Sequence, residues 1–230
     1  PIICECNDSG LSNIKNRAVR KEHVLKAIES ACEDFEEGDV GAGKGTSCHQ
    51  LKGGIGSASR IIDLSGGKYT VGVLVQSNYG LLNDFTINGN NVGKKILHKM
   101  KVEEKKDKGS IIMIVATDLP VSSRQLKRIC KRTSIGLAKL GSYMGNGSGE
   151  IVIGFSTANI INSDERDDIF NIKMIKEGKI DFFNHFKEIR KILGFEKSIH
   201  IQVVAENCEG IIKDAETILE NIDNKIIYKI

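Results

Sequence analysis

The chain has 230 residues, 40% of them apolar and 27% charged, and its 33 basic against 30 acidic side chains leave a formal net charge of +3. That length fits one substantial core, a single α/β domain over 1–230, and the near-balance of charge excludes the basic bias of a nucleic-acid binder. No apolar run reaches the roughly 18 residues of a bilayer span, and the six cysteines (Cys4, Cys6, Cys32, Cys48, Cys130, Cys208) form no CxxC pair, which excludes a zinc-ligand spacing and a dense disulfide framework. A cytoplasmic protein with reduced, buried thiols, no metal, no cofactor and no membrane or nucleic-acid partner is expected.

In chain order, PIICEC predicts a short strand over 2–6 and opens without a charged, signal-like segment, so the start reads as internal, with a segment before Pro1 missing. Val24, Leu25, Ile28, Ala31, Cys32 and Phe35 recur at helical spacing and predict a helix that Gly38 ends. After a glycine-dense stretch come strands at SRIIDL, YTVGVLVQ and SIIMIVATD, the last two with the β-branched apolar runs of strands covered on both faces. Between them, the mixed charges of KVEEKKDKG read as a solvated loop or hairpin tip. Ser122 or Ser123 caps a helix through Leu140, with Cys130 on its inward face and Gly141 as its stop, and GSYMGNGSGE turns the chain into strand EIVIGFST. The last third predicts a strand at Ile169 to Ile175, a helix at Phe182 to Leu193, a strand at SIHIQVVAE, a helix near Ile211 to Ile222 and a terminal IIYKI. Strands and helices mix without strict βαβ alternation, which favours stacked sheets flanked by helices.

GDVGAGKGTS, Gly38 to Ser47, has the spacing of the phosphate loop of adenylate-kinase-like enzymes. A phosphate loop needs a buried strand before it and a helix after it, to aim N–H groups and the helix dipole at phosphate. Here the acidic EDFEEGD precedes it and a glycine-rich run follows, so nucleotide binding is the weakest of the functions considered. Gly41, Gly43, Gly45, Gly53, Gly54 and Gly56 imply either backbone packed tightly in a connection between layers or a substrate-lining loop, with Gly53 and Gly54 the lining candidates.

The whole stretch GAGKGTSCHQLKGGIGSASR resembles the GAGTGM…KGGIG(T/S)SSR segment of the DmpA-type aminopeptidases, the β-aminopeptidases and D-stereospecific aminopeptidases. TVGVLVQSNYG, IVATDLPVSSRQLKRICKRTSIGLAKLG and NGSGEIVIGFSTAN match further family segments in the same order, and PIICECNDSGLSNI is similar to the family's PVV.ET.DG.LNDI. The resemblance covers about residues 1 to 160. It implies an αββα-type sandwich, a self-processing hydrolase of small peptides, amino-acid amides or esters, cleavage into 1–147 and 148–230, and a homo-oligomer of processed units.

Taken alone, NGSG before a strand is a tight turn of Asn146 and Gly147 capped by Ser148. The resemblance makes the Gly147–Ser148 bond the cleavage site, Gly147 the acyl donor and Ser148 the nucleophile, with its freed α-amine as base. An α-amine of ordinary pKa near 7.7–8.0 suits that task, and it needs no histidine. None of His23, His49, His98, His185 and His200 stands at a triad spacing. Asn78, in QSNYG, is the oxyanion-donor candidate, against a plain turn-forming asparagine. Two family features lack counterparts: NDSGLSNI has no tyrosine, and past Asn159 only Ser163 and Glu165 have a Ser-x-Glu spacing. The alternative is therefore a truncated or inactive relative with a structural or small-molecule-binding role.

Overall fold

The computed structural model describes residues 2–64, 66–100, 108–163 and 168–179. The segment 2–8 forms no strand; it is anchored by Cys6, whose Sγ lies 3.8 Å from Gln76 O and 3.7 Å from Ser110 O. Helix α1, Lys21–Glu29, is shorter than its apolar period predicts and buries nothing, so Val24, Leu25 and Ile28 are exposed. Past Ser30 the chain leaves the helix, and Cys32, expected to be buried, is exposed with its Sγ 2.8 Å from Asp34 O.

The two-residue strands β1, Ser47–Cys48, and β2, Leu51–Lys52, form a hairpin whose corner is His49 and Gln50, both at positive φ (50° and 61°). Left-handed backbone at two non-glycine residues is costly and persists only where the surroundings fix it. They do so here: His49 N–H donates to Tyr79 O, its ring stacks on Phe85 at 4.7 Å, and Gln50 Oε1 accepts from Leu82 N–H.

Strands β3, Gly54–Leu64, and β4, Gly67–Asn78, pair antiparallel from Gly54↔Ser77 to Leu64↔Gly67. A small hairpin of β5, Thr86–Ile87, and β6, Asn90–Asn91, leads to helix α2, Gly93–Met100. Strand β7, Ser110–Thr117, runs antiparallel to β4, and β8, Gly149–Ser156, parallel to β7, giving a four-stranded sheet in the order β3-β4-β7-β8.

Helices α3, Ser123–Cys130, and α4, Thr133–Lys139, form the β7–β8 crossover. Ser122 is the cap: its Oγ accepts from Gln125 N–H, and Gln125 Oε1 accepts from Ser122 N–H. The single helix expected here is two. Where it breaks, Thr133 Oγ1 donates to Cys130 O and Ser134 Oγ to Lys131 O, side-chain bonds that compete with the helical ladder.

One sheet face carries Val71, Val73, Val75, Ile111, Met113 and Val115, all buried, in a core with Leu82, Phe85, Val92, Ile96, Leu119, Ile129, Leu137 and Leu140. The other face holds Ile112, Ile114, Ile151, Ile153 and Phe155, of which Ile151 (52%) and Phe155 (41%) are exposed among the described residues. The strand expected at Ile169 to Ile175 is absent. That segment is docked instead by Asn159, which exchanges two hydrogen bonds with the Lys173 backbone, and by Ile175 N–H to Pro120 O. The tip of KVEEKKDKG and all elements expected beyond residue 179 lie outside the described residues.

Candidate active site

Asn78 is the last residue of β4 and 7% exposed. Its Oδ1 accepts from Ser47 N–H at 2.9 Å and its Nδ2 donates to Asn7 O at 2.9 Å, so one amide ties together three segments of distant sequence. The second Nδ2 hydrogen has only Ser110 Oγ, at 3.5 Å, a long contact directed along the sheet. The pairings Asn78↔Ser110 and Ser110↔Gly149 put the three residues in one row, and two strand spacings carry Asn78 about 10 Å from the head of β8.

Ser148 sits just before that head. Its N–H donates to Gly145 O at 2.9 Å, closing a turn, and Gly149 N–H donates to Gly109 O at 3.2 Å. Gly147 is exposed, while Ser148 Oγ is buried and has no hydrogen-bond partner. Two residues on, Glu150 Oε1 is likewise buried and unpartnered. Buried polar atoms are nearly always satisfied, which makes two orphans beside one peptide bond conspicuous.

A cavity of about 330 Å³ opens beside Asn78, walled by Asn7–Leu11, Gly45, Ser47, Gln50, Asn78–Leu81, Lys108 and Gly109. Ser148 does not line it but adjoins it through Gly109. Gly45 has no room for a side chain: a methyl there would stand 2.2 Å from both Asp8 Oδ2 and Ser12 Oγ. Gly53 and Gly54 are not on this wall. They are buried, with methyl positions 2.5 Å from Ser77 O and 2.6 Å from Gly38 O, so the geometry there is backbone packed on backbone. Lys52 secures the same loop: its Nζ donates to Gly43 O and Gly53 O and pairs with Asp39 at 3.1 Å. The stretch with phosphate-loop spacing is thus a 3-10 turn, Gly41–Gly45, followed by β1 instead of a helix.

Behind the cavity wall lies an uncharged floor. Burial pushes the Cys48 thiol up to about 12, and burial, with Cys48 beside it, holds Tyr79 well above the ordinary phenol range. His49 is fully buried there, with Nδ1 3.0 Å from Leu81 O, a packing role for a residue at no triad spacing. His23 and His98 are exposed on α1 and α2, and His185 and His200 lie outside the described residues. Cys6 and Cys48 are buried, Cys4 and Cys130 half-buried, and none of these is in a disulfide; Cys208 lies outside. Ser163 is exposed past the end of β8, and its spacing partner Glu165 lies outside the described residues. Among the described residues no cluster of His, Cys, Asp or Glu could hold a metal, and no helix is long and apolar enough to cross a membrane.

The sequence pattern of peptidase family S58 matches residues 1–190. The chain belongs to this family. Separately, β-peptidyl aminopeptidase BapA of Sphingosinicella microcystinivorans is 39% identical over 173 residues, covering 69% of this chain and 44% of that protein. The crystal structure of the PH0078 protein from Pyrococcus horikoshii OT3 is 48% identical with a TM-score of 0.72, covering 83% of this chain and 51% of that one. The L-aminopeptidase D-Ala-esterase/amidase of Ochrobactrum anthropi, described as a prototype serine aminopeptidase and a variant of the Ntn hydrolase fold, is 29% identical with a TM-score of 0.73, covering 91% and 61%. These neighbours bear out the expected class, a mixed α/β fold of stacked sheets and helices. The chain spans about half the length of the curated S58 relatives it matches. A separate match, 40% identical over 55 residues to a probable fructose-6-phosphate aldolase of Streptococcus pneumoniae (strain ATCC 700669 / Spain 23F-1), covers 24% of this chain, too little to show a second family.

The sequence singles out Ser148 and Asn78, and the sheet register brings their strand ends into one row. Gln50, Lys108 and Glu150 were missed. Gln50 lies in the GAGKGTSCHQLKGGIGSASR segment at a position to which the resemblance assigns no role, Lys108 in the charged KVEEKKDKG run, and Glu150 reads as the first polar position of a strand; only its offset of two from Ser148 could have drawn attention to it.

Proposed function

We propose that the protein is a self-processing N-terminal-serine aminopeptidase acting on small peptides, amino-acid amides or esters. The observation that carries this is Ser148: a buried, unpartnered hydroxyl next to an unhindered glycine carbonyl, in a turn heading β8, in an S58 chain. Attack of Oγ on the Gly147 carbonyl carbon forms an ester as the C–N bond breaks and the nitrogen takes a proton. Water then hydrolyses the ester to a Gly147 carboxylate and a free Ser148 hydroxyl. The α-amine so produced accepts the hydroxyl proton when substrate arrives in the cavity, and the second Nδ2 hydrogen of Asn78 is the donor to the oxyanion. The reaction as written calls for no cofactor. A cytoplasmic homo-oligomer of processed units belongs to the same proposal.

A second reading, a non-catalytic relative binding a small molecule, is favoured by one observation. The amide of Asn78 is engaged in holding Asn7 and Ser47, which a structural asparagine would also do. Intact mass of the full-length protein separates the two. The proposal requires two polypeptides meeting between Gly147 and Ser148, one chain only in Ser148→Ala, and hydrolysis of amino-acid p-nitroanilides by the cleaved form alone. A well-folded wild type that stays in one piece and is inactive establishes the second reading.

A further inference from the structure

Glu150 has no role in the mechanism above. Its Oε1 is buried and meets no hydrogen-bond donor, and no ion pair to its carboxylate is found among the described residues. A carboxylate oxygen withdrawn from water without a donor is expensive, and such groups are retained where a partner arrives later or a proton must be taken. The second orphan at this place is Ser148 Oγ. Ser148 immediately precedes β8 and Glu150 is the second residue of that strand, and two extended residues rise about 6.7 Å, a gap of the order that a glutamate side chain and a serine hydroxyl reaching toward each other cover. The two atoms are not hydrogen-bonded to each other in the intact chain.

We infer that Glu150 is the proton acceptor for self-cleavage at Gly147–Ser148, an inference that rests on the self-processing reading. As Oγ bonds to the Gly147 carbonyl carbon, its proton passes to the Glu150 carboxylate. The protonated Glu150 returns that proton to the leaving Ser148 nitrogen as the C–N bond breaks, so the carboxylate ends unchanged. Hydrolysis of the ester adds one water in all. In the product the new α-amino group stands at the head of β8, two residues from the same carboxylate, and supplies the donor that the intact chain lacks.

The test is the rate of appearance of the 148-terminated fragment in full-length protein, for wild type and Glu150→Gln, followed by mass spectrometry beside a thermal melt of each. Gln is nearly isosteric, and Oε1 has no hydrogen bond to lose, so a purely structural Glu150 predicts no change in either measurement. The inference predicts cleavage slowed by about 10²-fold or more, the usual worth of a positioned base, with Tm preserved. Glu150→Asp, which keeps the charge on a shorter side chain, should recover part of the rate. If Glu150→Gln does not fold, the size-matched pair Glu150→Asp and Glu150→Asn repeats the comparison, with the slow rate expected in Asn. Equal rates within either pair overturn the inference while leaving self-processing intact. A wild type that never cleaves overturns the self-processing reading, and this inference with it.

Discussion

At the scale of single residues, Asn78 carries the most. Removing its amide leaves Ser47 N–H, half-buried, without an acceptor, and frees the Asn7 carbonyl from its donor. Leaving one such group unmatched costs about 1–3 kcal/mol. Asn78→Ala should therefore lose stability as well as lower kcat by about 10²–10³-fold, the usual loss on deleting one oxyanion donor. Thermal melts and p-nitroanilide kinetics read the two effects separately: a wild-type kcat takes Asn78 out of the chemistry, and a wild-type Tm takes it out of the scaffold. This double duty was not legible in QSNYG. The motif marks an asparagine at a strand end, but its partners Asn7 and Ser47 lie 71 and 31 residues away and become neighbours only through the register of β4 with β7 and the turn at His49.

At the scale of elements, the best-read pieces were β4, β7 and β8, whose apolar runs are long and end at turn residues, and the Ser122 cap of α3. Besides the strand expected over 2–6, which does not form, three elements were misread for identifiable reasons. The apolar stripe of α1 has the right period but meets no core among the described residues, since period reports only that a face could be buried. The break between α3 and α4 follows from hydroxyl groups bonding back to carbonyls, which the spacing of Leu126, Ile129, Thr133 and Leu137 hides. The segment 168–179 is apolar enough to suggest a strand, yet it is fastened by side chains. Its strongest fastening is Glu177, which receives hydrogen bonds from Arg124, from Arg128 at 2.6 Å and from Gln125 Nε2 at 3.0 Å, all on α3. The hydrogen bond from Gln125 first, and then the two arginines, hold its carboxyl below the ordinary range against the opposing effect of desolvation. A depressed carboxylate contributes stability above its unfolded pKa and loses it as pH falls through the folded value. Between pH 5 and pH 3, wild-type Tm should thus fall more steeply than that of Glu177→Gln. Amide exchange at Ile175, whose N–H bonds Pro120 O, should be faster in the variant at neutral pH. Parallel Tm curves and equal exchange would show the clamp to be idle.

At the scale of the molecule, what the sequence made plain is the class of fold and the family, because both reside in ordered local segments between residues 1 and 160. The cavity was not plain: its walls come from four separate stretches, and of the glycines in the glycine-dense loop it is Gly45, packed on Asp8, that stands in the wall, while Gly53 and Gly54, the lining candidates, are spacers between backbones. The parallel seam between β7 and β8 has a further consequence. In the cleaved protein proposed above, β8 begins a new polypeptide yet stays zipped to β7 along eight residue pairs, with α3 packed over it. Scission there leaves the architecture standing but converts its assembly from a one-body to a two-body problem. After dilution from urea, the uncut Ser148→Ala chain should regain its fold with a half-time independent of protein concentration. The nicked protein should do so more slowly the more dilute it is, and below some concentration not at all, so that the cut acts as a ratchet: the chain must fold before it is cut, and once cut and unfolded its halves must find each other again.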